Sequence, residues 1–153
     1  MDKIDIQILE CLKNNSRENA SVIGNKINMS VSAVIERIKK LEKNGIIKQY
    51  SILLDAKKMG MDVLAFIWVS MEHPKFNKGF TDFVMEHSRI VECHYVTGDF
   101  DYLLKINTDS TESLERILHE IKYVGGVSLT KTLVVLSAVK EEFSVSLKET
   151  DIK

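Results

Sequence analysis

Asn28-Met29-Ser30-Val31-Ser32-Ala33-Val34-Ile35-Glu36-Arg37-Ile38-Lys39-Lys40-Leu41-Glu42-Lys43-Asn44-Gly45 decides the front half of the chain. Val34, Ile38 and Leu41 recur at i, i+4 and i+7, which makes one apolar stripe on a helix. Ser30 or Ser32 can cap its start, and Gly45 supplies a helix-ending residue. Upstream, Asn19 is an N-cap for a helix through Ile27, with Val22, Ile23 and Ile27 facing inward. Only Asn28-Met29 joins the two helices, and Asn tolerates the left-handed backbone that so tight a turn demands. Gly24 costs about 1 kcal/mol against Ala inside a helix; close approach of a neighbouring helix is the expected reason.

Working outward, Ile4, Ile8 and Leu12, with Leu9 and Cys11 beside them, predict a first helix. Asp2 and Asp5 sit in its first turn, where the helix dipole favours negative charge. Asn14-Asn15-Ser16 ends it, and Ile46 to Ile52 reads as a strand pair or wing. The layout is a helix-turn-helix with a short wing.

In such a motif the second helix enters the major groove, N-terminal end towards the bases. Ser32, Ala33, Glu36 and Arg37 lie towards that end. Arg37 can pair bidentately with guanine and Glu36 can accept from cytosine. Lys39, Lys40, Lys43 and Lys48 suit phosphates, which position a protein without specifying sequence. A solvated helix face with ordinary charges, including a Glu36–Lys40 pair at i, i+4, is the competing reading.

The chain of 153 residues has a net charge of −1, which excludes a uniformly basic nucleic-acid binder. Residues 1–60 carry 11 Lys/Arg against 7 Asp/Glu, a balance of +4, and residues 61–153 carry 10 against 15, a balance of −5. Two modules with different partners are expected. The apolar run Val63 to Val69 is far short of the roughly 20 residues of a membrane helix. No export signal opens the chain, and two cysteines are too few for a disulfide framework, so the expected setting is reducing and cytoplasmic, without a membrane.

The second half alternates strands and helices. Val63 to Met71 is apolar on both faces, Phe76, Phe80, Phe83 and Val84 have helical spacing, and Ile90 to Val96 reads as a second strand. Thr97-Gly98-Asp99 is its turn and Phe100 to Ile106 the hairpin partner. Ser110 or Thr111 caps a helix holding Leu114, Ile117, Leu118 and Ile121; Gly125-Gly126 ends it, and Val127 to Val139 is the last strand. The order βαββαβ is the ferredoxin-like unit, an α+β architecture. Helices cover one face of that sheet, yet Leu64, Phe66 and Trp68 oppose Val63, Ala65, Ile67 and Val69, so the other face needs a cover. A second copy is the simplest one, giving a two-fold dimer.

In the hairpin turn, Gly98 permits exposed amides that can hold a carboxylate, and Asp101 can accept from an ammonium group. Together they suit a zwitterion such as an amino acid, with Leu133 and Val134 as an apolar wall; a plain turn and core residues are the alternative. Enzyme readings find no support: there is no phosphate loop, no nucleophile elbow, and no metal-ligand spacing among His73, His87, His94 and His119. Cys93 reads as a buried thiol rather than a redox switch.

The stretch from Arg17 that contains N-M-S-V-S-A-V-I-E-R-I-K-K-L-E-K-N-G-I-I resembles the helix-turn-helix of the Lrp/AsnC (feast/famine) transcription regulators. E-C-H-Y-V-T-G-D-F-D-Y-L-L-K, Glu92 to Lys105, resembles the signature of their effector-binding domain. The resemblance implies a regulator that binds double-stranded DNA, forms dimers that assemble into octamers or similar rings, and binds amino acids between subunits. It needs no cofactor, no metal and no catalytic residue. Carried over, Ser30, Ser32, Ala33, Glu36, Arg37 and Lys40 match recognition-helix positions. Gly98, Asp99 and Asp101 would belong to the effector pocket, with Thr111, Thr132, Leu133, Val134 and Val135 lining or adjoining it. The expected organisation is a helix-turn-helix (winged-helix-like) domain over 1–50, a linker strand or hinge over 51–61, the ferredoxin-like effector-binding and oligomerisation domain over 62–145, and a tail over 146–153. An effector-insensitive architectural DNA-binding protein is the alternative function.

Overall fold

A computed structural model describes residues 1–147; the end of the tail expected over 146–153 lies outside the described residues. The described residues form two compact units, one from Met1–Leu53 with residues 140–147, the other from Leu54–Val139.

The first unit contains α1 (Lys3–Asn14), α2 (Ala20–Ile27) and α3 (Val31–Lys43). Their apolar stripes meet in one core of Ile8, Leu12, Ile23, Val34 and Leu41. Asp2 caps α1: its side chain accepts from the Asp5 amide, while Asp5 accepts from the Asp2 amide. Asn19 holds the N-cap position of α2 without a side-chain bond, and Ser30, not Ser32, caps α3 by accepting from the Ala33 amide. Asn28 adopts the left-handed conformation at φ 57°, as the two-residue turn requires. Gly24 makes room mainly for that turn rather than for a helix. A Cβ there would stand 2.6 Å from the Met29 carbonyl oxygen, with Val34 of α3 next at 3.7 Å.

Residues 46–55 form no strand or ladder, so the expected strand pair or wing strand is absent. The β propensity of Ile46, Ile47 and Ile52 is real, but a strand needs a partner, and no described segment supplies one. Tyr50 ties this segment to α3 by donating to Glu42 Oε1 at 2.9 Å; burial and that bond push its phenol up to about 12. The C-terminal segment returns to α1, where Lys13 Nζ lies 3.5 Å from Glu142 and 3.4 Å from the Val145 carbonyl.

The second unit is β1 (Val63–Met71), α4 (Asn77–Glu86), β2 (Ile90–Tyr95), β3 (Tyr102–Thr108), α5 (Thr111–Tyr123) and β4 (Val127–Val134). The sheet order is β2-β3-β1-β4 with every neighbouring pair antiparallel, which is the ferredoxin-like arrangement. Ala65, Ile67 and Val69 of β1 and Tyr102, Leu104 and Ile106 of β3 face the helices and bury against Phe80, Val84, Leu114, Ile117 and Ile121. Each of the Val, Leu, Ile and Phe side chains contributes roughly 1.5–3 kcal/mol by leaving water. Ser110, not Thr111, caps α5.

Two strand limits differ from expectation. β3 starts at Tyr102 rather than Phe100, because residues 96–101 form a six-residue turn closed by the Val96 amide on the Asp101 carbonyl. β4 stops at Val134 rather than Val139. Its partner β1 begins at Val63, so after the Val135 amide bonds Leu64 the ladder has nothing left to pair with.

Phe76 precedes α4 in a short 3₁₀ turn and lays its ring over Gly126. Gly126 has φ +88°, and a Cβ there would overlap the Phe76 ring. Gly126→Ala should therefore destabilise the protein by about 2–3 kcal/mol through overpacking and left-handed strain; denaturant unfolding of the full chain reads the loss.

Candidate functional sites: a recognition helix and a hairpin turn

On α3, Ser30, Ser32, Glu36, Lys39, Lys40 and Lys43 are exposed, and Ala33 is half-buried. Ser30 Oγ and Ser32 Oγ lie 3.2 Å apart, so the cap and the first candidate base contact are coupled. Among the described residues no carboxylate pairs with Lys39, Lys40, Lys43 or Lys48, which leaves a row of ammonium groups facing solvent. Val31 and Ile35 are exposed on the same helix, at 46% and 41%. Sequence reading missed these two. Their signal was apolar residues lying off the Val34–Ile38–Leu41 stripe, a pattern suited to thymine methyls.

Arg37 is placed differently from the expected guanine contact. Its Nη1 donates to Asp2 Oδ2 and to Asp5 Oδ1, each at 2.7 Å. The Asp5 amide and then the Arg37 guanidinium hold the Asp2 carboxyl below its usual range, and the two carboxylates in turn raise Arg37.

In the second unit Gly98 has φ +118°, with open space where a Cβ would stand, so its backbone conformation is what calls for glycine. Asp101 is fastened into its own fold: its amide donates to the Val69 carbonyl at 2.9 Å, and its Oδ2 accepts from the Met71 amide at 2.7 Å. The second bond fills the irregularity between Ser70 and Met71, where the β1–β4 register shifts. The Asp99 carbonyl accepts from Ser70 Oγ at 3.2 Å, and the Asp99 side chain is exposed.

The remaining expected effector residues sit elsewhere. β3 pairs Tyr102 with Val69 at the end nearest the turn and Thr108 with Val63 at the other end, which leads into Thr111. Thr132 pairs with Ile67 and Val134 with Ala65, on the helix side of the sheet, whereas Leu133 pairs with Phe66 on the opposite face. Val135 follows at the Leu64 end. Val69 and Val63 are six residues apart, roughly 20 Å along a strand. One protomer therefore holds Gly98, Asp99 and Asp101 at one end of its sheet, and Thr111, Val134 and Val135 towards the other.

An open groove on the helical face is lined by Phe83, Arg116, His119, Glu120, Tyr123 and Val124, none of them an expected site residue. Glu92 bridges His94 at 3.1 Å and Lys105 at 2.9 Å across the outer sheet face; those two partners hold its carboxyl low. Burial pushes the Cys93 thiol up, away from thiolate reactivity. No group of metal-binding side chains occurs among the described residues, and no described helix is long and apolar enough to cross a membrane.

Residues 1–48 match a winged helix-turn-helix DNA-binding domain, and residues 64–145 match the Lrp/AsnC ligand binding domain. The chain belongs to the Lrp/AsnC family. It is 39% identical to the HTH-type transcriptional regulator LrpB of Bacillus subtilis over 147 residues, 96% of each chain. It is 30% identical to the leucine-responsive regulatory protein of Escherichia coli, covering 97% of this chain and 92% of that protein. A transcriptional regulator of Neisseria meningitidis, solved as its complex with L-methionine, superposes with a TM-score of 0.93 at 28% identity, covering 98% of this chain and 99% of that one. The protein is thus an Lrp/AsnC-type DNA-binding transcription regulator with a ligand-binding domain, not an enzyme.

Proposed function

We propose that this Lrp/AsnC regulator senses an amino acid, bound between subunits of its ferredoxin-like domain, and adjusts DNA binding accordingly. The supporting observation is the separation just described. The turn at Gly98, Asp99 and Asp101 and the residues Thr111, Val134 and Val135 lie too far apart in one protomer to close on one small molecule, with Thr132 and Leu133 between them on β4. A second copy brings the turn of one chain to the far sheet end of another. Amides at Gly98 and Asp99 would hold the carboxylate, and the acidic turn the ammonium group. The L-methionine complex of the Neisseria relative supports that ligand class.

The outer sheet face supports self-association. Leu64, Phe66, Trp68, Leu103 and Leu133 form its centre, and a second such face is the cover that matches this apolar patch, with Lys105 already paired to Glu92 beside it. Dimers of this kind would assemble further into an octamer or similar ring. On DNA, Ser32, Ala33, Glu36, Val31 and Ile35 would meet base edges, Ser30 would fix the end of α3, and Lys39, Lys40, Lys43 and Lys48 would meet phosphates.

Thermal unfolding of the full chain with each of the twenty amino acids tests the effector. A cognate amino acid at 100 times its Kd should stabilise the protein by about 2.7 kcal/mol. If none of the twenty raises the midpoint, the amino-acid reading is wrong and the DNA-binding module acts without such an effector.

A further inference from the structure

We propose that Arg37 is a positioning residue that braces the recognition helix against α1, and that it reads no base. The proposal rests on the reading of α3 as the DNA-facing helix.

The brace links one guanidinium nitrogen to both acids of the α1 cap. Arg37 Nη1 donates to Asp2 Oδ2 and Asp5 Oδ1, both at 2.7 Å. The second oxygen of each acid is also committed: Asp2 Oδ1 accepts from the Asp5 amide at 2.8 Å, and Asp5 Oδ2 accepts from the Asp2 amide at 2.9 Å. The reciprocal cap of α1 therefore fixes both carboxylates before Arg37 reaches them. Only 15% of the Asp5 side chain and 29% of the Arg37 side chain is exposed, so water screens the inner pair poorly.

Position on the helix agrees. Arg37 stands one turn after Val34 and one before Leu41, both buried in the core that α3 shares with α1. Its side chain leaves the flank that faces α1, whereas Ser32 and Glu36 are exposed. Turning the guanidinium towards guanine would break two short charge-assisted bonds and strand two carboxylates beside a phosphate backbone. What a bidentate guanine contact returns is no larger than what those bonds forfeit. Held as it is, Arg37 fixes how α3 is presented, so its loss should weaken every DNA sequence alike.

The test begins by selecting duplexes from a randomised pool with the full-length wild type. Affinity is then measured on the enriched duplex and on each single-base-pair substitution of it. Arg37→Gln should lower affinity about tenfold, by the same factor on every duplex, with Arg37→Lys recovering part of the loss. In an Asp2→Asn/Asp5→Asn background, Arg37→Gln should change affinity less than twofold, because the brace is already gone. Glu36→Ala, the control base reader, should change preference at one position. Flattened discrimination at a single base pair in Arg37→Gln, or an undiminished effect in the Asn background, overturns the proposal. A wild type that enriches no sequence overturns the DNA reading of α3 as well, which separates the two failures. Should Arg37→Gln unfold the first unit by circular dichroism, Arg37→Lys carries the same comparison of duplexes, with the same two outcomes.

Discussion

Trp68→Asp is expected to convert the dimer or larger assembly proposed above into a monomer of 17.4 kDa in sedimentation equilibrium. Trp68 lies in the middle of the outer sheet face, paired with Leu103 on one side and Lys131 on the other, with Phe66 and Leu64 along its own strand. Its ring meets that of Phe100 at 5.8 Å and lies outside the core that the helices cover. A carboxylate there costs the isolated domain little, because it faces water. In a two-fold interface the same substitution replaces the apolar centre of both copies with carboxylates, whose desolvation costs several kcal/mol each, which is a loss of more than a thousandfold in association. Circular dichroism should remain that of the wild type. A variant that keeps its wild-type mass would place the interface elsewhere.

The second large effect is on DNA. Lys39→Ala/Lys40→Ala/Lys43→Ala removes three exposed ammonium groups from α3 and should flatten the slope of log K against log salt by about 2.7, since each phosphate contact contributes about 0.9. At about 0.1 M salt that corresponds to a loss of several hundredfold. Preference among sequences should stay the same, because phosphate contacts position without specifying. Alanine is the stronger helix former, so the helix itself should survive. An unchanged salt slope would mean that this face of α3 does not meet the backbone.

How far the sequence could be read depended on how local the deciding interaction was. The turn at Asn28, the Ser30 cap and the stripes of α1 and α3 are set within a few residues and lie where spacing and residue type put them; on α2 Ile23 and Ile27 face the core as expected, but Val22 is exposed. The βαββαβ order was equally legible from periodicity. What escaped depends on partners far along the chain. β4 ends when β1 runs out of residues, 70 positions earlier, and residues 46–52 form no strand because none lies beside them. Arg37 looks like any outward charge until Asp2 and Asp5, 35 and 32 residues away, are seen to hold it. Asp101 looks like a ligand group until the Met71 amide, 30 residues away, takes one of its oxygens. Likewise, Gly98 and Val134 gave no sign in sequence that they lie towards opposite ends of the sheet.

The measurement that bears most directly on the regulator as a whole is DNA affinity, by fluorescence anisotropy on a selected duplex, titrated with each amino acid in turn. At least one amino acid should shift the affinity by roughly 5- to 150-fold, the range of coupling free energies between linked sites, and by reciprocity the duplex should shift the affinity for that amino acid equally. Tight, sequence-selective binding that no amino acid alters would contradict effector control and leave an architectural DNA-binding protein.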